Sequence, residues 1–308
     1  MTKISPDLLD ESFWDIKKVE WKYDYDGNIF ELHQANGTIA CCWIPKEVHP
    51  WGILIYMHGL NSNIGLNANT LRDFTQCGLI TIASDHLGHG KSPGLRSLTT
   101  IENIHLEISS LIEWAASNFI KLPIYLYGHS LGGLSVISYI LSRPRDQRIS
   151  AVITTGPWLS TRALPNPGKK EEKILKFFSD HFPAFNIPLP PDSSKYDPGF
   201  IQMRSEHPVF QGINPITVRS AFYTMYNVIN NPNLWPKDLP FLLGQGLGDK
   251  LVSIPTNRNF AKAVKENIGN NMKYIEYPNG LHDLLKTAER APWMVECLTF
   301  MSSHVKHE

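Results

Sequence analysis

Three short runs of continuous apolar residues recur in the first half of this chain, and each ends in small or polar residues. They are GILIYM at Gly52–Met57, LITIAS at Leu79–Ser84 and PIYLY at Pro123–Tyr127. Strands that are apolar along their whole length are typical of a parallel sheet buried on both faces. The runs therefore predict an α/β protein built around a mostly parallel sheet.

A helical pattern lies between the second and third runs. Apolar residues recur at helical spacing from Ile101 to Ala115. Thr99, followed three residues later by Glu102, has the pattern of a capping box and predicts the start of this helix. Strand, helix and strand in this order form a right-handed βαβ unit.

Further segments predict the rest of the sheet. Ala151–Thr155, Pro240–Gly244 and Met272–Tyr277 have the apolar character of additional strands. Val19–Tyr25 and Thr38–Trp43 flank polar turn residues, and we expect them to form an antiparallel edge. The sequence thus predicts a mostly parallel sheet of about eight strands, flanked by helices.

The segment between residues 156 and 240 departs from this rhythm, since it holds 13 of the chain's 22 prolines together with many phenylalanines. Proline removes a backbone donor and fixes φ, so it interrupts long regular elements. The segment is too apolar for a disordered linker, and we predict a mainly helical cap with helices at Lys169–Phe178 and Pro215–Ile229. The predicted organisation is a first core segment at 1–156, the cap at 157–238 and a second core segment at 239–308.

The charge balance limits what the chain binds. Its 29 basic and 29 acidic residues form no Lys/Arg block, which argues against a nucleic-acid partner. The N-terminal residues lack the apolar stretch of a secretory signal, and no apolar run approaches the ~18 residues of a spanning helix. The four cysteines show no CxxC spacing, so they predict neither a disulfide framework nor a zinc site. We therefore expect a soluble, cytoplasmic protein.

The most specific chemical motif follows the third apolar run. That strand leads directly into GHSLG at residues 128–132, and a helical run follows at Leu134–Leu141. G-x-S-x-G between a strand and a helix is a nucleophile elbow, a sharp turn that lifts the serine hydroxyl above the sheet. The glycines avoid collisions with neighbouring backbone, and the helix N-terminus directs amides at a developing anion. The motif predicts Ser130 as the nucleophile.

A serine nucleophile needs a base, and the base needs an acid to orient it. In this architecture the chain order is Ser, then Asp or Glu, then His. Asp249 follows the penultimate predicted strand and His282 follows the last one, which places both at the carboxyl edge of the sheet. Asp238 precedes its strand and Asp283 adjoins the histidine, so both rival acids are placed less well. We predict a triad of Ser130, Asp249 and His282.

Two backbone amides are expected to stabilise the oxyanion. One should come from Leu131, the residue after the nucleophile, and the other from Leu60 in the loop HGLN that follows the first apolar run. His58 and His129 adjoin buried strands. We expect them to shape these loops through hydrogen bonds rather than to act as the base.

The loop DHLGHGKSPG, at residues 85–94, raises the alternative of a metal site formed by Asp85, His86 and His89. A metal site needs ligands that converge from more than one short loop, and no second cluster is evident. The phosphate-loop motif G-x-x-x-x-G-K-[ST] is absent. We interpret the segment as a tight loop whose polar side chains bond to the backbone, and we predict no metal or organic cofactor.

The same loop, together with HGLNSN, GHSLGG, GLGDKLV and GLHDLL, resembles the monoacylglycerol lipase and lysophospholipase group of the α/β-hydrolase superfamily. The resemblance covers about residues 19 to 286 and implies the α/β-hydrolase fold with a mobile, apolar cap after the sixth strand. It implies the following functional positions: Ser130 as nucleophile, Asp249 and His282 as its partners, and Leu60 and Leu131 as oxyanion donors.

These observations predict a serine hydrolase that cleaves esters of lipid-like substrates, with monoacylglycerol as the first candidate and lysophospholipid as the second. The alternatives are a general short-chain carboxylesterase, an acyltransferase on the same triad, a hydrolase of peptides or thioesters, and a non-catalytic ligand receptor. The expected partner is a small-molecule lipid ester, with transient contact between the cap and membrane surfaces as a further expectation. Acyl-chain length, head group and oligomeric state are left open.

Overall fold

The computed structural model describes residues 4–161, 169–188, 196–207 and 212–305. Its main feature is an eight-stranded sheet with the strand order β1-β2-β4-β3-β5-β6-β9-β10. The strands in these described ranges are β1 (Asn28–Leu32), β2 (Thr38–Trp43), β3 (Gly52–Met57), β4 (Leu79–Ser84), β5 (Ile124–His129), β6 (Ile149–Thr155), β7 (Ile187–Pro188), β8 (Gly212–Ile213), β9 (Phe241–Gly246) and β10 (Met272–Tyr277). In the eight-stranded sheet, β1 pairs antiparallel with β2, and β2 pairs antiparallel with β4. The remaining six strands of this sheet pair parallel with one another.

Helices cover both faces of the sheet. They are α1 (Ile64–Gln76), α2 (Ile101–Asn118), α3 (Leu131–Leu141), α4 (Lys169–His181), α5 (Pro198–Glu206), α6 (Pro215–Asn230), α7 (Ile254–Ile268) and α8 (Arg290–Ser303). Along β3, Ile53 and Ile55 pack in the core shared with α2, α3 and α7, whereas Leu54 and Tyr56 pack in the core shared with α1 and α8. This alternation explains why the central strands are apolar along their whole length.

The parallel part of the predicted sheet is confirmed, but one of the two predicted edge strands is wrong. Val19–Tyr25 forms no strand, and Asn28–Leu32 pairs with Thr38–Trp43 instead. Two aromatic side chains of Val19–Tyr25 instead form hydrogen bonds with residues distant in the chain. The indole of Trp21 donates to Asp197 at 2.7 Å, and the hydroxyl of Tyr25 donates to Asp85 at 2.8 Å.

The predicted start of α2 is wrong by one residue. Thr100, not Thr99, caps the helix, because its side chain accepts a hydrogen bond from the backbone N–H of Asn103. Thr99 instead bonds through its backbone N–H and C=O to the hydroxyl of Thr217 on α6. Thr99 therefore makes a tertiary contact with Thr217 instead of capping the helix as the local pattern predicts.

The insertion between β6 and β9 contains α4, β7, α5, β8 and α6. Both helices predicted there are confirmed, with α4 extending three residues beyond Phe178. Residues 162–168, 189–195 and 208–211 of the predicted cap range lie outside the described residues. The insertion exposes several large apolar side chains: Ile174, Phe177, Phe178, Phe182, Phe185 and Ile187. None of the helices in the described ranges is both long enough and apolar enough to cross a membrane.

Candidate active site

Ser130 lies between the end of β5 and the start of α3, as the elbow motif predicts. Its backbone has φ 53° and ψ −113°, a strained combination for a residue other than glycine. Three backbone hydrogen bonds hold this conformation. The Ser130 N–H donates to the Thr155 carbonyl, while the Ser130 carbonyl accepts from Leu134 and Trp158. Ser130 is half-buried and lies at the carboxyl edge of the sheet.

Two glycines of the elbow are required by close backbone approach. A Cβ on Gly132 would overlap the carbonyl oxygen of Met57, at the end of β3. A Cβ on Gly128 would likewise overlap the backbone of Gly132. The elbow therefore packs backbone against backbone, which brings Ser130 next to the loop that follows β3.

His282 and Asp249 form a hydrogen-bonded pair, with 2.8 Å between Nδ1 and Oδ2. Asp249 lies in the loop after β9 and His282 in the loop after β10. The other carboxylate oxygen of Asp249 accepts from the backbone N–H groups of Leu251 and Val252, at 2.8 and 3.2 Å. Both side chains are almost fully buried, so the pair has a fixed geometry.

The two groups shift each other's pKa. Burial alone would lower the pKa of His282, but the adjacent Asp249 carboxylate outweighs it and raises the pKa above 6.5. Burial would raise the pKa of Asp249, but His282 and the two backbone amides hold it below 3.8. The site therefore favours an imidazolium paired with a carboxylate, the charge state that a general base reaches after taking a proton.

The structure brings this pair to the same edge of the sheet as Ser130. The ring of His129, next to Ser130, lies 4.8 Å from the ring of His282 between centroids. A Cβ on Gly156, which follows β6, would lie 3.1 Å from His282 Nδ1 and 3.3 Å from Asp249 Oδ2. Gly156 also adopts a φ of +45°, which glycine tolerates best. Gly156 was not among the residues predicted for the site.

A second buried carboxylate, that of Asp283, directly follows His282 in the chain. Asp283 pairs with Lys286, whose ammonium also donates to Asn67 Oδ1 at 2.8 Å. Burial would raise the pKa of Asp283, but Lys286 and His129 lower it to about 2. Lys286 was not predicted as a residue of this region; the only sequence signal for it is the spacing of three residues between Asp283 and Lys286. The other rival acid, Asp238, is exposed and pairs with Arg145.

The two predicted oxyanion donors, Leu60 and Leu131, belong to the loop after β3 and to the start of α3. Leu131 is the first residue of α3, and a first-turn N–H of a helix has no acceptor within the helix. Leu60 follows Gly59, where a Cβ would lie 3.1 Å from the Cβ of Ser130. His58 is buried with Nδ1 2.8 Å from the Gly59 carbonyl oxygen. The geometry agrees with a loop-shaping role for His58.

The acidic and histidine side chains of the loop at 85–94 bond within the protein. Asp85 accepts from the backbone N–H groups of Ile64 and Lys91 and from the Tyr25 hydroxyl. His86 Nδ1 lies 2.6 Å from Glu107 Oε2. Within the parts of the chain that the structure describes, no group of His, Cys, Asp and Glu residues is arranged to hold a metal ion.

Comparison with known proteins adds to this geometry. The profile of the family described as serine aminopeptidase, S33, matches residues 48–289. The chain is 24% identical over 266 residues to the monoacylglycerol lipase of Mycolicibacterium smegmatis, covering 85% of this chain and 92% of that protein.

Two solved structures show the same fold. A monoacylglycerol lipase of Paleococcus ferrophilus matches with a TM-score of 0.73 and 24% identity, covering 87% of this chain and 99% of that one. A soluble variant of the Saccharomyces cerevisiae monoglyceride lipase in complex with a substrate analogue matches with a TM-score of 0.77 and 16% identity, covering 94% and 100%. The predicted fold class is confirmed.

Proposed function

This chain belongs to the serine aminopeptidase family and is a carboxylic ester hydrolase with the α/β-hydrolase fold; we propose that it cleaves lipid-like esters through Ser130, His282 and Asp249. One observation carries the assignment of residues. The strained serine of the elbow lies at the same sheet edge as the His282–Asp249 pair, whose atoms are 2.8 Å apart. A nucleophile, a base and an orienting acid in one place are the components of acyl transfer.

In the first step, Ser130 Oγ attacks the ester carbonyl carbon while His282 takes the hydroxyl proton. Because Nδ1 of His282 faces Asp249, Nε2 is the nitrogen that accepts this proton. The tetrahedral oxyanion receives hydrogen bonds from the Leu60 and Leu131 amides. The intermediate collapses when the alcohol leaves with the proton returned from His282.

In the second step, water hydrolyses the acyl-enzyme. His282 removes a proton from this water, which attacks the acyl carbon and releases the carboxylic acid, and Ser130 recovers its proton. Asp249 holds the same imidazole tautomer in both steps and stabilises the imidazolium. The proposed reaction requires no metal and no organic cofactor.

We place a cap at residues 157–238 over this site. The backbone N–H of Gly212 in β8 donates to Asn61 Oδ1 at 3.4 Å. Asn61 directly follows the proposed donor Leu60 in the chain. The hydroxyl of Ser97 donates to the Gly212 carbonyl at 2.7 Å. These bonds support a position for the insertion above the oxyanion loop.

The apolar character of the cap supports a lipid-like acyl chain. Monoacylglycerol is our first candidate substrate, because two relatives at 24% identity are named monoacylglycerol lipases. Lysophospholipid is our second candidate. The exposed side chains of Phe177, Phe182 and Ile187 support transient contact of this cap with lipid surfaces.

The proposal is tested by initial hydrolysis rates on monoacylglycerols of increasing chain length. Ser130→Ala should lower kcat by about 10⁴-fold or more, since the variant lacks the hydroxyl that forms the proposed acyl-enzyme. Ser142→Ala, at an exposed serine beyond the other end of α3, is the matched control and should retain wild-type rates. Substantial turnover by Ser130→Ala would contradict the mechanism, and activity confined to the shortest esters would contradict the lipid assignment.

A further inference from the structure

A buried polar cluster outside the proposed triad lies behind the oxyanion loop. It comprises His58 after β3, His86 and His89 after β4, and Glu107 on α2, and each is at most 4% exposed. Buried ionisable groups are costly unless their hydrogen bonds are satisfied, so their partners indicate what the cluster does.

The hydrogen bonds of His58 assign its tautomer. Nδ1 lies 2.8 Å from the Gly59 carbonyl oxygen, which can only accept. Nε2 accepts from the backbone N–H of His86 at 3.1 Å. The proton is therefore on Nδ1, and His58 is neutral. In agreement, burial and the neighbouring His86 hold the pKa of His58 well below 6.5.

This bond has a consequence for the next amide in the chain. The Gly59 carbonyl and the Leu60 N–H belong to one planar, trans peptide unit, so they point in opposite directions. His58 Nδ1–H and the N–H of Ser62 both donate to this carbonyl. Holding the carbonyl in place therefore holds the Leu60 N–H on the side away from it.

A second bond holds the preceding peptide unit. His86 Nε2 lies 2.9 Å from the His58 carbonyl oxygen, and its Nδ1 lies 2.6 Å from Glu107 Oε2. Both partners are acceptors, so both nitrogens of His86 donate and the ring is an imidazolium. The Glu107 carboxylate also accepts from the Ser84 hydroxyl and the Leu87 N–H. Although burial acts to lower the pKa of His86, Glu107 outweighs it and the pKa is raised.

We propose that His58 is a positioning residue that orients the Leu60 N–H for the oxyanion, and that the His86–Glu107 pair holds His58 in place. The inference rests on the proposed function, because it assumes that an oxyanion forms at Ser130. His58 touches no reacting atom in this scheme and acts only through the Gly59–Leu60 peptide unit.

The test compares two amide replacements of His58 on a p-nitrophenyl butyrate assay. In His58→Asn, the amide nitrogen can take the place of Nδ1 and donate to Gly59, but the acceptor for the His86 N–H is lost. In His58→Gln, the longer amide oxygen can accept from His86, but the donor to Gly59 is lost. Each variant loses one buried hydrogen bond, so a purely structural role predicts similar losses of stability and activity.

We expect His58→Asn to retain kcat within about threefold and His58→Gln to lose about 10- to 100-fold, with KM unchanged in both. This loss is smaller than the 10²–10³-fold cost of removing a whole oxyanion donor, because Ser62 still bonds to the same carbonyl. Affinity for a trifluoromethyl ketone, which forms a tetrahedral adduct with the serine, should fall by the same factor as kcat.

Equal kcat values for the two variants, at similar melting temperatures, would overturn the inference and leave the proposed function intact. A loss confined to KM would overturn it as well, since orientation of an oxyanion donor acts in the transition state. Wild-type protein without Ser130-dependent turnover would instead overturn the proposed function, and the inference with it.

Discussion

Replacing Asp249 by asparagine removes one charge and changes almost no volume, yet we expect it to remove most of the ester hydrolysis. The reason lies in the groups that face this carboxylate. Its Oδ1 accepts from the Leu251 and Val252 N–H groups, and its Oδ2 accepts from His282 Nδ1 and Gln245 Nε2. All four partners are donors in the present arrangement, so the amide of asparagine has no position that satisfies its own N–H₂ group.

The least costly arrangement changes the tautomer of His282. The backbone donors of Leu251 and Val252 require an oxygen at Oδ1, so the asparagine N–H₂ takes the place of Oδ2. His282 can accept from it only by moving its proton from Nδ1 to Nε2, and the nitrogen that faces the nucleophile then no longer accepts a proton. Gln245 offers little relief, because its Oε1 already accepts from Asn257 at 2.8 Å.

The magnitude follows from these constraints. A triad with the wrong tautomer loses about 10⁴-fold in kcat in a well-studied serine protease. At 1.36 kcal/mol per tenfold, this loss corresponds to about 5.4 kcal/mol of barrier height. The folded state loses less, since one poorly paired buried N–H costs about 1–3 kcal/mol. The variant should therefore remain folded and be nearly inactive.

The assay is kcat on p-nitrophenyl butyrate together with thermal unfolding, for Asp249→Asn and for Asp238→Asn as the matched control. Asp238 is a more exposed acid that pairs with Arg145, so its replacement should change kcat by less than about twofold. An Asp249→Asn protein that keeps more than a tenth of wild-type kcat would refute the assignment of Asp249. Inactivity combined with unfolding would refute the argument that only the tautomer changes.

Three further outcomes are expected. The pH profile of kcat/KM should lose activity as the pH falls through a midpoint above 6.5, because His282 must be neutral to act as a base and its pKa is raised. Gly132→Ala should destabilise the protein by about 1–3 kcal/mol or more in urea unfolding, because its Cβ would overlap the backbone of Met57, which no side-chain rotation can relieve. Lys286→Met should cost about 3–5 kcal/mol, because it leaves Asp283 buried without its cation, and adding Asp283→Asn should recover part of that loss.

The parallel strands were predictable because burial on both faces leaves a direct trace in sequence. The runs at Gly52–Met57 and Leu79–Ser84 coincide with β3 and β4, and every residue of both strands is buried. The elbow was predictable for a similar reason, since its strand, glycines and helix are contiguous in the chain. The sequence pattern was sufficient to predict the elements whose structure depends on residues that are close together in the chain.

The errors arose where partners distant in sequence decide the outcome. Val19–Tyr25 has the composition of a strand, but its aromatic side chains bond to residues as far away as Asp197. Thr99 fits the capping pattern, but its backbone bonds to Thr217, 118 residues further along the chain. No window of local sequence contains these contacts, so propensity and periodicity could not predict them.

The same limit applies to the chemistry of the site. Asp249 and Asp283 are both buried carboxylates close to His282, and their sequence contexts differ only in placement. The structure distinguishes them by the donors that they face. Asp283 is paired with the Lys286 ammonium, whereas Asp249 faces His282 Nδ1 and its pKa shift is tied to that ring. A carboxylate already neutralised by an ammonium gives little further stabilisation to an imidazolium. We therefore propose Asp249 as the orienting acid because of the partners that it faces rather than because of its position in the chain.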